Sequence, residues 1–206
     1  MVKTKELRCF IGALGMALPI IVVIMALAYG YAFPDSISAT YFIPTCITPF
    51  MIILGSAGIL LVCYRGYDLV DNILNTAAGI FAWGVCLFPC AAQWGKIGTF
   101  QLPHEVSDII HTMSAIGFFI ILAYNSLFQF TKGSDNPTPE KKKRNIIFRI
   151  CGIGMAVSFV LLPLVSFGVI NIPHAIWIIE FIALQFFGIS WITKANCIPF
   201  LFADKE

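Results

Sequence analysis

The stretch Cys9-Phe10-Ile11-Gly12-Ala13-Leu14-Gly15-Met16-Ala17-Leu18-Pro19-Ile20-Ile21-Val22-Val23-Ile24-Met25-Ala26-Leu27-Ala28 holds twenty consecutive residues without a charge. At about 1.5 Å per residue such a run, folded as a helix, crosses the roughly 30 Å hydrocarbon core of a bilayer. Ala26-Leu27-Ala28 resembles a signal-peptidase site, but the apolar stretch is far longer than the 7–15 residues of a usual signal core. It reads as a retained spanning helix.

Five further runs of the same kind follow. The expected spans are 9–33, 43–64, 72–93, 104–130, 146–170 and 173–195. Between them the connections are short except for 131–145, which contains Gly133, Ser134, Asn136, Pro137 and Pro139 before the basic run Lys141-Lys142-Lys143-Arg144. The sequence therefore predicts an all-α polytopic membrane protein: one domain, residues 1–206, built as a bundle of six transmembrane helices. Composition agrees. The chain is 59% hydrophobic and 12% charged, with a mean hydropathy of +0.88. A soluble domain is roughly 45–50% apolar and about 25% charged, and 206 residues offer too little interior to hide the excess from water. A soluble enzyme and a disordered chain are both excluded.

Basic residues fix the orientation, because cytoplasmic loops are enriched in Lys and Arg. With the N-terminus inside, twelve of the thirteen basic residues fall on the cytoplasmic side and only Lys96 falls outside. Both termini are then cytoplasmic. Nucleic-acid binding has no support beyond the one basic loop, and membrane lipids are the expected partners.

Small residues let helices approach closely in lipid. Gly12 and Gly15, Gly55 and Gly58, Ala78 and Ala82, and Gly152 with Ala156 are expected to mark the packed faces of helices 1, 2, 3 and 5. Pro19, Pro49, Pro89 and Pro163 should kink spans or mark their ends. The seven cysteines lack the paired spacing of a secreted disulfide framework. Cys86 and Cys90, at i and i+4, are expected on one face of helix 3 as small packing residues, with a metal or redox pair as the lesser alternative.

Ionisable groups inside spans are costly and mark functional sites by default. Helix 4 opens Pro103-His104-Glu105-Val106-Ser107-Asp108-Ile109-Ile110-His111, placing His104, Asp108 and His111 on one stripe. Helix 6 opens Pro173-His174 and carries Glu180. His111 and Glu180 fall at matched depth, roughly 10–12 Å below the outer ends of their helices, and would pair if helices 4 and 6 were adjacent. His104 and His174 would stand at the mouth, beside the first outer loop with Asp35, Ser36 and Ser38. The candidate binding cluster is therefore Asp108, His111, Glu180, His104, His174, Ser36 and Ser38. Three readings of it stay open. It is a structural pair that fixes helix packing, or a polar cavity for a lipid headgroup, small amphiphile or proton, or a metal site. For a metal the candidate ligands are Asp108, His111 and His174, with hydrolysis by a metal-activated water. His104 and His111 lie roughly 10 Å apart along the axis and cannot share one ion. No cofactor is indicated.

On the cytoplasmic side Arg65 and Asp68 are expected to pair within the turn Tyr64-Arg65-Gly66-Tyr67-Asp68, and Lys141–Arg144 to set orientation, with attraction for anionic headgroups as the alternative. The chain has no phosphate-binding Gly-Lys-Ser/Thr loop, no His-Glu-x-x-His and no Gly-x-Ser-x-Gly, so the recurring soluble-enzyme motifs are missing.

Several short motifs carry a resemblance. These are Pro34-Asp35-Ser36-Ile37-Ser38 in the first outer loop, His111-Thr112-Met113-Ser114-Ala115-Ile116-Gly117-Phe118-Phe119 in helix 4 and Glu180 in helix 6. With them go Tyr64-Arg65-Gly66-Tyr67, Ala78-Gly79-Ile80-Phe81-Ala82, Leu87-Phe88-Pro89, Arg144-Asn145 and Phe187-Gly188-Ile189-Ser190-Trp191. Together they resemble uncharacterised bacterial six-helix membrane proteins of the domain-of-unknown-function type and, more distantly, the autophagy-modulator-like six-helix membrane family. That resemblance implies a role in membrane organisation and a multi-pass location in the bacterial inner membrane. A second similarity, to the ceramidase and progestin-receptor-like membrane hydrolases, rests on three histidines, Asp108 and nearby serines. The chain departs from that group in helix count and lacks its His-x-x-x-His pair. The resulting expectation is a protein that binds lipid or a small amphiphile in an outer-side polar cavity, or serves a structural role. The alternatives are a metal-dependent membrane hydrolase and a small proton-coupled transporter.

Overall fold

The computed structural model describes residues 4–90, 95–133 and 136–197. Six long helices follow one another: α1 Thr4–Ala28, α2 Pro44–Cys63, α3 Leu69–Leu87, α4 His104–Tyr124, α5 Pro139–Ser166 and α6 Ala175–Ala195. All six are long and apolar enough to cross a membrane, and the protein is a multi-pass integral membrane protein. A 3-10 turn, Ser38–Phe42, precedes α2, and a two-stranded antiparallel ribbon, β1 Lys96–Ile97 with β2 Leu102–Pro103, precedes α4. The last turn of α4 continues as a π-helical turn over Asn125–Gln129.

Each helix packs on its two neighbours in sequence and α6 returns to α1, so the six form a closed ring. The α4–α5 seam is the loosest in it. Consequently α4 and α6 are not neighbours, contrary to the adjacency that a direct His111–Glu180 pair requires.

Side chains directed into the ring make the core. Leu18 and Val22 of α1, Phe50 and Leu61 of α2, Phe118 and Leu122 of α4, Phe148 and Met155 of α5 and Phe187 and Trp191 of α6 are all buried. Trp191 is its hub at the end where α6 finishes, with ring centroids 5.1 Å from Tyr64 and 5.2 Å from Phe130. Ile24, Ile52, Ile80, Ile109, Ile153 and Val160 are exposed on the outside of the ring, where a bilayer rather than water is the compatible solvent.

The small residues act as expected at most positions. A Cβ on Gly12 would meet the Gly188 carbonyl of α6, and one on Gly58 would meet Trp83 and the Gly79 carbonyl of α3. Gly152 faces Leu127 and the Ala123 carbonyl. Two positions differ. Gly55 has open space where a Cβ would sit, although its carbonyl accepts from Trp83 Nε1 at 3.2 Å. Ala156 faces outward.

Helix ends also differ from the expected spans, for local reasons. α5 begins at Pro139, seven residues before the expected 146, because Thr138 caps it: its side chain accepts from Lys141 N, and Pro139 occupies the first turn. Lys141–Arg144 are therefore helical, since the long side chains can leave the membrane boundary while their backbone stays in the helix. α3 ends at Leu87 ahead of Pro89, which cannot continue a helix ladder; the expected end at Gln93 lies outside the described residues. Cys90 is thus not on α3, and Cys86 alone is a buried packing residue there. The cysteines hold one further departure: Cys9 and Cys197 form a disulfide with Cα atoms 6.4 Å apart, tying α1 to the end of α6.

Buried polar groups concentrate in the half of the bundle where α1 begins and α6 ends. Asp68 caps α3 by accepting from Asp71 N at 2.8 Å. Asn75 Nδ2 donates to Asp71 Oδ1 at 2.7 Å, and Asn125 Nδ2 donates to Asn75 Oδ1 at 3.1 Å. Ser126 Oγ donates to the Phe148 carbonyl at 2.8 Å. The expected Arg65–Asp68 pair is absent. Arg65 Nη1 instead donates to the Val62 and Tyr64 carbonyls, while Asp68 Oδ2 takes Lys132 Nζ at 2.7 Å. The fold brings the α2–α3 and α4–α5 loops together at this end, so Lys132 reaches Asp68 while Arg65 satisfies the end of its own helix. The Lys132 ammonium, with the Asp71 amide, holds the Asp68 carboxyl below its ordinary range.

Candidate functional site, an outer cavity at the α4–α5 seam

Where α4 and α5 part, a cavity of about 450 Å³ opens near the end of the bundle where α4 begins and α5 finishes. Ala115, Ile116 and Phe119 of α4, Phe159 and Leu162 of α5, and Ile176 of α6 give it an apolar wall. Its polar side holds Ser36, Ser38, His111 and Glu180, with Cys90 and Thr112. A smaller void of about 50 Å³ continues toward the ring centre and shares Ser38, Ala115, Phe119 and Glu180 with it.

Glu180 is positioned by α6 and used by the first outer loop. It accepts the Ile37 backbone N–H at 2.5 Å and the Ser38 hydroxyl at 3.5 Å. These donors open the 3-10 turn Ser38–Phe42, so a carboxylate sits at a helical N-terminus, where negative charge is favoured. The loop is pinned from its other side as well. Trp177 N donates to the Asp35 carbonyl at 3.1 Å, and the Phe33 ring packs edge-on against His174 and Trp177.

His111 is buried and clasps the end of α3. Its Nδ1 bonds the Phe88 carbonyl at 2.8 Å, and one turn earlier Ser107 Oγ donates to the Pro89 carbonyl at 2.8 Å. A carbonyl only accepts, so Nδ1 carries the proton, and the neutral ring keeps Nε2 as an acceptor. The helix break before Pro89 leaves carbonyls without intrahelical partners, and α4 supplies the donors.

Of the seven predicted site residues, four line the cavity: Ser36, Ser38, His111 and Glu180. His111 and Glu180 do not bond each other; each is held by backbone of a different segment, because the ring order sets α4 and α6 across the cavity. Asp108 is not on the cavity wall but lies within electrostatic reach of His111 and Cys90. His104 contacts its neighbour Glu105 at 3.4 Å, outside the cavity. His174 stands at the start of α6 in a left-handed conformation, φ 56°, 3.4 Å from Asp35, and is also outside it. Among the described residues no three His, Cys, Asp or Glu side chains converge as a metal would need, so Asp108, His111 and His174 do not form one ligand set. Cys90, expected beside Cys86 on α3, is instead on the cavity wall, and nothing in the sequence marks the α5 wall, whose residues are neutral and unremarkable for a span.

Fold and cavity together define a class: a six-helix integral membrane protein with a lateral, partly polar chamber. No protein-family model, curated protein or solved structure matches the chain.

Proposed function

We propose that the outer cavity binds a single-chain lipid or other small amphiphile, its apolar part along Phe119, Phe159 and Leu162 and its polar part toward Ser36, Ser38, His111 and Glu180. The observation that carries this reading is the placement of a chamber with one apolar and one polar side at the loosest seam of the ring. About 450 Å³ falls in the roughly 300–1,000 Å³ range of small-ligand sites. Thr112, Pro163, Ser166 and Phe167 at its edge are exposed, so a ligand enters sideways between α4 and α5. The polar side offers acceptors in Glu180 and His111 and hydroxyls in Ser36 and Ser38, which suits a headgroup bearing hydroxyl or amine donors. The motif resemblance to bacterial six-helix membrane proteins points to the inner membrane as the setting and to membrane organisation as the role.

The test is to purify the full chain in mild detergent, extract it with organic solvent and measure co-purifying lipids by mass spectrometry. An Ala115→Phe variant fills the junction between the chamber and the inner void. The wild type is expected to retain a defined amphiphile near one per chain and Ala115→Phe to lose it. Equal lipid content in the two would overturn the proposal.

A further inference from the structure

A second cavity, of about 210 Å³, lies at the opposite, cytoplasmic end. Four cations from three helices meet on its walls: Arg8 of α1, Lys141 and Arg144 of α5, and Lys194 of α6. Their convergence depends on the closed ring, which brings the start of α1, the start of α5 and the end of α6 together. No acidic side chain is on its described walls.

Three of the cations are held by hydrogen bonds. Arg8 Nε donates to Tyr64 Oη at 3.2 Å, Lys141 Nζ to the Phe130 carbonyl at 2.8 Å, and Arg144 Nη1 to Asn196 Oδ1 at 2.8 Å. Lys194 is different. It is 8% exposed, and its Nζ has no hydrogen-bond partner among the described residues. Two ring faces approach it, Tyr67 at 4.2 Å and Phe130 at 5.0 Å to the centroids. The carboxylate closest in influence, Asp71, is occupied: it accepts from Tyr67 N and Asn75 Nδ2. An ammonium has three donors and no acceptor, and burying it without a counter-charge is costly. An anion in the chamber supplies the partner that the Lys194 ammonium lacks among the described residues.

We infer that this cytoplasmic pocket binds a phosphate group, with Lys194 as its floor and Arg8, Lys141 and Arg144 around it. Phosphate fits because its several acceptor oxygens match the cations' many donors, and guanidinium and ammonium groups are its usual partners. The volume lies below the range of ordinary small-ligand sites, so the pocket takes a headgroup-sized anion rather than a nucleotide. Tyr67, which is 65% exposed, stands at the rim. The group arrives either on an anionic lipid of the cytoplasmic leaflet, which attracts such clusters, or as a free phosphate.

The experiment uses the full chain, delipidated in an uncharged maltoside detergent at constant ionic strength. Inorganic phosphate and short-chain phosphatidic acid are titrated separately against chloride, with calorimetry and the melting temperature as readouts. Saturable binding of at least one probe is expected, weakened roughly tenfold or more in Lys194→Met. The melting temperature of unliganded Lys194→Met should equal or exceed that of wild type, since the change removes a buried charge, and this reports that the variant folds. Arg8→Gln, at a partly exposed wall, gives an independent loss should Lys194→Met fail to fold. Equal affinity for both probes assigns the site to free phosphate, and binding of the lipid alone assigns it to a headgroup. Neither probe binding above chloride, or variants binding as tightly as wild type, would overturn the inference.

Discussion

Replacing Glu180 separates two meanings of a carboxylate in a membrane helix. In the structure it accepts Ile37 N at 2.5 Å, and Ile37 is 3% exposed, so Glu180→Ala strands a buried backbone donor. A hydrogen bond contributes about 0.5–1.5 kcal/mol, and an orphaned buried donor costs about 1–3 kcal/mol. We expect a loss of about 2–3 kcal/mol, or about 4–12 °C in melting temperature for a chain of this size. Glu180→Gln keeps an acceptor oxygen in place and is expected to lose less than about 1 kcal/mol. Adding Ser38→Ala to either variant should change little, because its bond to Glu180 is long, at 3.5 Å. The assay is thermal unfolding of detergent-solubilised protein followed by tryptophan fluorescence. Gln behaving like Ala would mean that the charge, not the acceptor, is what the site needs, as in a proton relay. Ala behaving like wild type would mean that the loop is held by its other anchors alone. Either result refutes the reasoning.

Other perturbations probe the frame around the site. Trp191→Ala removes the hub shared by Tyr64 and Phe130 and should cost about 3–5 kcal/mol in the same unfolding assay. Gly79→Leu places a side chain against the Gly58 carbonyl and Val62, so α2 and α3 must separate; size-exclusion chromatography should show loss of the monodisperse peak. The Asp68 carboxyl is held low in the folded protein, so its contribution is complete above the ordinary carboxylate range and lost as pH falls through the lowered value. Melting temperatures of wild type and Lys132→Ala should therefore differ near pH 6 and converge once acid has protonated the Asp68 carboxyl. Peptide mapping under oxidising conditions should recover a linked pair containing Cys9 and Cys197, released by reductant and missing in Cys9→Ser.

The spans were legible because bilayer thickness imposes one length on every apolar run. Ser36, Ser38, His111 and Glu180 were legible because polar groups are scarce in spans. What each one bonds was not. His111 takes a carbonyl freed by the break before Pro89, and Glu180 takes the amide of a loop residue; both depend on where backbone runs out of partners, which composition does not report. The α5 wall stayed hidden because Phe159 and Leu162 look like any lipid-facing residues, and only the ring order tells which of them turn inward. Lys194 read as one more orientation charge. Its burial follows from α6 closing against α1, a contact between the two ends of the sequence.

The π-helical turn at Asn125–Gln129 is where α4 ends. A π turn is wider than an α turn, and this one carries two polar anchors in adjacent positions. Asn125 donates to Asn75 of α3 and Ser126 to the Phe148 carbonyl of α5. The last turn of α4 is thus bonded to both of its neighbours in the ring. The α4–α5 seam, which parts at the chamber, is fastened at this end: it is open like a hinge at one end and buttoned at the other.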